Sequence, residues 1–297
     1  MKPRALQPGD LLALVAPSSP FDPDRFEQGS RILEDLGYRL LPGNHIHKRR
    51  GYLAGSESER AQDLMRAFAQ PDVSAVVCIR GGYGSSRLLP WLSFPRLGGQ
   101  PKIFLGFSDA TFLHMAFQTR LKWVTFHGPN LMNLAEHPEF AADFQKALSG
   151  KQDFTWSFGE DNVLRHGTGR GRLMGGNLTC MAHLLGTPYF PDLEGAVLMI
   201  EDCSEALYRL DRLFNHLKLA GKIEGLAGLV LGQFKDCCTC GQIRDMILES
   251  VNTCSFPVVA GLPFGHGLQN RIIPLGVPFS LNTYEGKLQA LENPLVL

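Results

Sequence analysis

A chain of 297 residues is longer than most single domains, so two domains sharing a cleft is the first expectation, with one large α/β domain as the alternative. Its 29 basic residues balance 29 acidic ones and no long run of one sign occurs, which removes the electrostatic footprint of a nucleic-acid binder and favours a small, specific ligand. Seven cysteines, an odd number in a chain able to bury a large core, read as reduced thiols rather than a disulfide framework.

Leu11–Ala16 is the first apolar run and reads as a buried strand. Bounded by Asp10 and Pro17, it is too short to span a bilayer and lacks a signal-peptide cleavage pattern, so a cytoplasmic protein with no membrane partner is expected. Pro23 suits the first turn of a helix and Gly37 its C-terminal stop, while Ser56 and Glu59 have capping-box spacing ahead of Leu64, Met65 and Phe68. Val73–Ile79 and Ile103–Phe107 read as further buried strands, each leading into a loop and a helix-like stretch. That rhythm implies a mainly parallel sheet. Around Lys151–Gly176 the pattern weakens into polar, Gly-rich sequence that includes His166-Gly167-Thr168-Gly169-Arg170-Gly171, before a helix-like segment near Asn177. The domain boundary is placed there, separating 1–160 from 161–297. Beyond it come strands at Ala196–Ile200, Leu226–Leu231 and Val258–Leu262, a helix across Ala206–Leu219, and a β-rich tail from Arg271.

Three segments could carry chemistry. Gly106-Phe107-Ser108-Asp109-Ala110 follows an apolar strand and precedes the amphipathic run Thr111–Thr119, which has the form of a nucleophile elbow. The turn is crowded, so the residues two before and two after the serine must be small, and Gly106 and Ala110 are. A helix N-terminus would also offer backbone N–H groups to an oxyanion, the Asp109 N–H first. Taken alone, Ser108 reads better as a helix cap, since serine before a helix is very common. A serine hydroxyl needs a base, and Gly265-His266-Gly267 supplies a histidine whose flanking glycines permit unusual backbone angles and close approach of a ligand; a surface-loop histidine is the plain alternative. The histidine needs a carboxylate, and Glu201-Asp202 directly follows the strand Ala196–Ile200. Glu201 is the expected orienter, since Asp202 is the better candidate to cap the following helix. Arg80-Gly81-Gly82-Tyr83-Gly84 is a fourth, Gly-rich turn after a strand; it matches no nucleotide-phosphate loop, and Gly82 is the candidate for a second oxyanion N–H.

Together these segments resemble the serine LD-carboxypeptidase family, which includes muropeptide LD-carboxypeptidases and microcin C self-immunity peptidases. The likeness extends over nearly the whole chain: Val15-Ala16-Pro17-Ser18-Ser19, Arg80 through Pro90, Gly106-Phe107-Ser108-Asp109, Thr125-Phe126-His127-Gly128-Pro129, Gly175-Gly176-Asn177-Leu178, Ile200-Glu201-Asp202, Tyr208-Arg209-Leu210-Asp211-Arg212 and Gly265-His266-Gly267. Phe107 departs from it, standing where the family usually has tyrosine. The resemblance implies Ser108 as nucleophile, Glu201 and His266 as its relay partners, and the Asp109 and Gly82 backbone N–H groups as oxyanion donors. It implies an α/β fold in which a Rossmann-like parallel sheet with helices on both faces carries the nucleophile. A smaller, β-rich C-terminal α/β domain carries the other two residues, commonly within a homodimer. The substrate it implies is a murein tetrapeptide losing its terminal D-alanine during cell-wall recycling, with no metal or cofactor.

The free carboxylate of such a peptide needs a cationic partner, for which Arg80 and Arg271 are candidates by motif proximity; either could instead serve a structural ion pair. Three rival readings remain. The same machinery could cleave a peptidyl or aminoacyl nucleotide, for which Trp91 is an isolated candidate platform. Cys237, Cys238, Cys240, Cys254 and His266 could bind zinc, against which the spacing speaks, since no paired Cys-x-x-Cys knuckles occur. Finally, the fold could be a binding module without turnover.

Overall fold

Unbroken apolar runs make the central strands of the N-terminal sheet, because a parallel strand is covered on both faces and cannot alternate with polar residues. In the computed structural model, which describes every residue except Gly98, these strands are Leu11–Val15 (β1), Val73–Cys78 (β3) and Ile103–Gly106 (β4). Two short strands that periodicity did not disclose join them: Arg39–Pro42 (β2) and Thr125–His127 (β5). The first is part-exposed and carries a charge, and the second is only three residues long, so neither offers a window in which a pattern can accumulate. All five are parallel and lie in the order β5-β4-β3-β1-β2. The order reverses direction at β1, and ligands of such sheets bind beyond the carboxyl ends of the strands at that reversal.

The intervening helices begin where their caps require. Asp22 accepts from the Arg25 N–H with Pro23 in the first turn of the helix Pro23–Asp35, and Gly37 follows its end at φ 89°. Ser56 and Glu59 form the reciprocal capping box of the helix Glu57–Ala69.

The chain divides into two compact units, Met1–Gln152 with Asn293–Leu297, and Asp153–Glu292. The second contains an eight-stranded mixed sheet. Its parallel part is Thr168–Asn177 (β8), Val197–Cys203 (β9), Gly228–Lys235 (β10) and Val258–Gly265 (β11). Thr155–Ser157 (β6) and Val163–Arg165 (β7) are its outer strands. After the short strand Ile273–Leu275 (β12), Pro278–Asn282 (β13) and Lys287–Ala290 (β14) join it antiparallel, giving the order β6-β14-β13-β8-β9-β10-β11-β7. Both units are thus α/β.

The weak, Gly-rich stretch before Asn177 is an element rather than a linker. It forms β8, whose tenth and last residue, Asn177, then caps the helix Leu178–Leu184 through the Cys180 N–H. A side chain at Gly169 or Gly171 would collide with the carbonyl of Ala227 or Gly195, so glycine alternates there because the strand passes against bare backbone. The strands β9, β10 and β11 also run beyond their apolar stretches. Pairing between β10 and β9 continues as far as Lys235 and Cys203, which places Glu201 and Asp202 inside a strand instead of after it.

Candidate active site

Ser108 sits immediately past the end of β4 with φ 61°, a left-handed conformation that a residue with a side chain adopts only when its surroundings enforce it. The enforcement is visible on both sides. A methyl group at Gly106 would lie 2.9 Å from Cys78 Sγ and 3.0 Å from Ala110 Cβ, so the elbow does need small residues at both places. The serine leads through a short 3-10 turn into the helix Thr111–Leu121. Gly81 backs the serine side chain: a Cβ there would stand 3.0 Å from Ser108 Cβ and 3.2 Å from its Oγ.

Asp109 holds the three loops at these strand ends together. Its buried carboxylate accepts from Ser18 Oγ at 2.5 Å and from the Ser85 N–H at 2.7 Å, and its carbonyl accepts from Ser85 Oγ at 2.5 Å. Burial raises its pKa, against which these hydrogen bonds work. Arg60, also buried, donates from Nη1 to the carbonyls of Pro17 and Gly84, the latter at 2.9 Å. Gly82, at φ 106°, lies against Ser19, whose Oγ accepts from the Tyr83 N–H at 3.2 Å; any side chain at Gly82 would collide with that hydroxyl. The first unit therefore gathers Ser108, Asp109, Gly81 and Gly82 at one sheet end. Phe107 packs: it is buried, with its ring edge-on to His127 at 5.9 Å. Behind it, burial pushes His114 down to about 3, and its Nε2 lies 2.9 Å from the Gly106 carbonyl, bracing the elbow with a neutral imidazole.

The second unit joins Glu201 to His266. Glu201, wholly buried on β9, hydrogen-bonds through Oε2 to His266 Nδ1 at 2.6 Å and accepts from the His266 backbone N–H at 3.2 Å. Burial by itself would depress the imidazole, but the Glu201 carboxylate, together with the ring's hydrogen bonds to Cys203 and Glu201, raises it from 6.5 to about 10. The flanking glycines serve this pair. At Gly265, with φ 100°, a Cβ would stand 2.7 Å from Glu201 Oε2, and at Gly267 it would overlap the Gln233 side chain. Gly265 takes the unusual backbone angle expected of it, and both glycines make room for protein side chains. Gly265 is further fixed by donating to Asn270 Oδ1 at 3.1 Å.

Asp202 is a cap, but of the preceding helix. It accepts from the Thr179 N–H at 2.9 Å and Oγ1 at 2.8 Å, and from Asn177 Nδ2 at 3.0 Å. Arg80 is exposed and donates from Nη1 to the Pro20 carbonyl at 2.7 Å. Arg271 is exposed with its backbone N–H on the Pro263 carbonyl at 2.9 Å. Trp91 is exposed at the end of the 3-10 segment Ser85–Trp91. Among the described residues no group of three or more His, Cys, Asp or Glu is placed to hold a metal ion. Residues that sequence reasoning missed are Ser18, Ser85, Arg60 and His114. The signal for Arg60 was available, since it follows the capping-box Glu59 on the face that Leu64 and Phe68 bury.

Chemically, the second unit presents a base oriented through Nδ1, and the first presents a hydroxyl on a strained turn backed by glycine. The sequence pattern of the LD-carboxypeptidase N-terminal domain matches residues 12–128, and that of the LD-carboxypeptidase C-terminal domain matches residues 170–281. A probable murein peptide carboxypeptidase of Bacillus subtilis is 36% identical over 295 residues, covering 96% of this chain and 92% of that protein. The muramoyltetrapeptide carboxypeptidase of Oxalobacter formigenes superimposes with a TM-score of 0.83 at 31% identity, covering 94% and 97% of the two chains. The solved complex of MccF with glutamyl sulfamoyl guanosine superimposes with a TM-score of 0.91 at 25% identity, covering 99% of each chain.

Proposed function

The chain belongs to the LD-carboxypeptidase family, and from that premise we propose that it is a serine peptidase that releases the terminal D-alanine of murein tetrapeptide by hydrolysing an L,D-peptide bond. The observation that carries the reading is the buried Glu201 holding His266 Nδ1 at 2.6 Å, the support a general base for a serine requires. His266 takes the Ser108 proton as the hydroxyl attacks the scissile carbonyl. Glu201 stabilises the imidazolium that results. The Asp109 and Gly82 backbone N–H groups stabilise the tetrahedral oxyanion, D-alanine leaves with the proton from His266, and water then releases the acyl group from Ser108. Arg80 or Arg271 would meet the substrate carboxylate, and the enzyme would act as a cytoplasmic homodimer in murein recycling.

The self-immunity reading uses the same residues on an aminoacyl nucleotide, and the likeness to MccF keeps it second. The stronger sequence identity lies with the murein peptide carboxypeptidase. Turnover of murein tetrapeptide and of a glutamyl sulfamoyl nucleotide, measured side by side, separates them. The proposal expects a higher kcat/KM on the tetrapeptide; a preference for the nucleotide overturns it.

A further inference from the structure

The cysteines near residue 237 have no part in the chemistry above, yet one neighbouring thiol reaches its centre. Glu201 and Cys203 lie two residues apart on β9, so their side chains leave the same face of the sheet. The His266 ring, held by Glu201, also hydrogen-bonds to the Cys203 sulfur. On the adjacent strand Lys235 is the register partner of Cys203, and the chain turns sharply at Asp236, φ 54°. Cys237 is thereby folded back onto the end of β9: its sulfur donates to the Lys235 carbonyl at 3.5 Å and accepts from the Glu205 N–H at 3.4 Å. Cys203 and Cys237 thus stand at the same end of neighbouring strands, and both are part-exposed free thiols.

We propose that Cys203 is a peroxide-reactive thiol whose oxidation Cys237 resolves as a disulfide. In the first step the Cys203 sulfur attacks one oxygen of a small hydroperoxide and the O–O bond breaks. The thiol proton goes to the departing oxygen, leaving a sulfenic acid and one water when the oxidant is hydrogen peroxide. In the second step the Cys237 sulfur attacks the sulfenic sulfur, the S–O bond breaks, and the hydroxyl leaves as water with the Cys237 proton. One peroxide and two thiols become one disulfide and two waters. Burial holds Cys237 up to about 11, which keeps it a thiol at neutral pH, and Cys203 is the thiol on the face that carries Glu201. Oxidation removes the Cys203 hydrogen bond from the imidazole and draws the end of β9 toward β10. The loss of hydrolysis that follows rests on the proposed function; the thiol chemistry does not.

The test treats the reduced full-length protein with hydrogen peroxide, alkylates the remaining thiols, maps the peptides by mass spectrometry, and measures D-alanine release in parallel. The expected result is a Cys203–Cys237 linked peptide, loss of activity in step with linkage, and recovery of both with dithiothreitol. In Cys237→Ser, dimedone labels Cys203; in Cys203→Ser, both linkage and peroxide inactivation disappear. Cys203 remaining fully alkylatable after peroxide, or Cys203→Ser losing activity to peroxide as the wild type does, overturns the inference. A protein that forms the linked peptide but never releases D-alanine keeps this inference and ends the proposed function; one that releases D-alanine with Cys203 still reduced does the opposite.

Discussion

Replacing Glu201 with glutamine preserves the side chain's shape and removes its charge, which isolates what the carboxylate does to His266. Holding the imidazole at about 10 in place of 6.5 corresponds to roughly 5 kcal/mol of preference for the imidazolium, at about 1.36 kcal/mol for each tenfold. In Glu201→Gln that preference goes while burial of the ring remains, so its pKa falls below 6.5. The assay is NMR titration of the His266 ring in both proteins. Activity should follow, because a general base must be neutral: wild-type kcat/KM climbs with pH along an acid limb well above 6.5. In the variant the limb moves below 6.5, and the plateau drops by about 10⁴, the scale of losing the carboxylate that fixes the tautomer. Stability carries the same signature. A folded-state pKa raised above the unfolded one stabilises fully below pH 6.5, and that stabilisation is lost as pH climbs to about 10. The wild type therefore loses stability across this window and Glu201→Gln does not. The net stability difference at neutral pH is smaller than 5 kcal/mol, since the variant is also spared the cost of burying the Glu201 charge. A His266 ring titrating near 6.5 in the wild type, or at the same pH in both proteins, refutes the reasoning.

Gly81→Ala places a methyl 3.2 Å from Ser108 Oγ, so kcat/KM falls on the order of 10²-fold while the melting temperature barely moves, as kinetics and calorimetry would show. Gly106→Ala forces a methyl between Cys78 and Ala110 and costs about 1–3 kcal/mol in urea unfolding, with activity reduced as the elbow shifts. Asp109→Ala leaves the Ser18 hydroxyl and Ser85 N–H without their acceptor; each buried orphan costs roughly 1–3 kcal/mol, and urea unfolding should show a loss of that order or larger. Gly265→Ala combines φ 100° with a clash against Glu201 Oε2, so it lowers both stability and the His266 pKa, read by calorimetry and NMR.

The α/β class and most strands were legible because buried parallel strands are written as continuous apolar runs, as in Leu11–Val15 and Val73–Cys78. The capping chemistry of Ser56 and Glu59 was equally local. β8 was not legible, since its glycines are dictated by the carbonyls of Ala227 and Gly195, which lie far along the chain. The same holds at the site. The Gly106-to-Ala110 spacing announces an elbow, but the anchoring of Asp109 by Ser18 and Ser85 depends on residues 91 and 24 positions away. The flanks of His266 were visible as glycines, and Gly265 takes the unusual backbone angle expected of it, φ 100°, but that Gln233 and Glu201 fill the space they leave was not.

The central claim is tested most directly by incubating murein tetrapeptide with the wild-type protein and with Ser108→Ala and following free D-alanine by chromatography and mass spectrometry. The account predicts one D-alanine released per tetrapeptide by the wild type and none above background by the variant. Release by Ser108→Ala at the wild-type rate would contradict it.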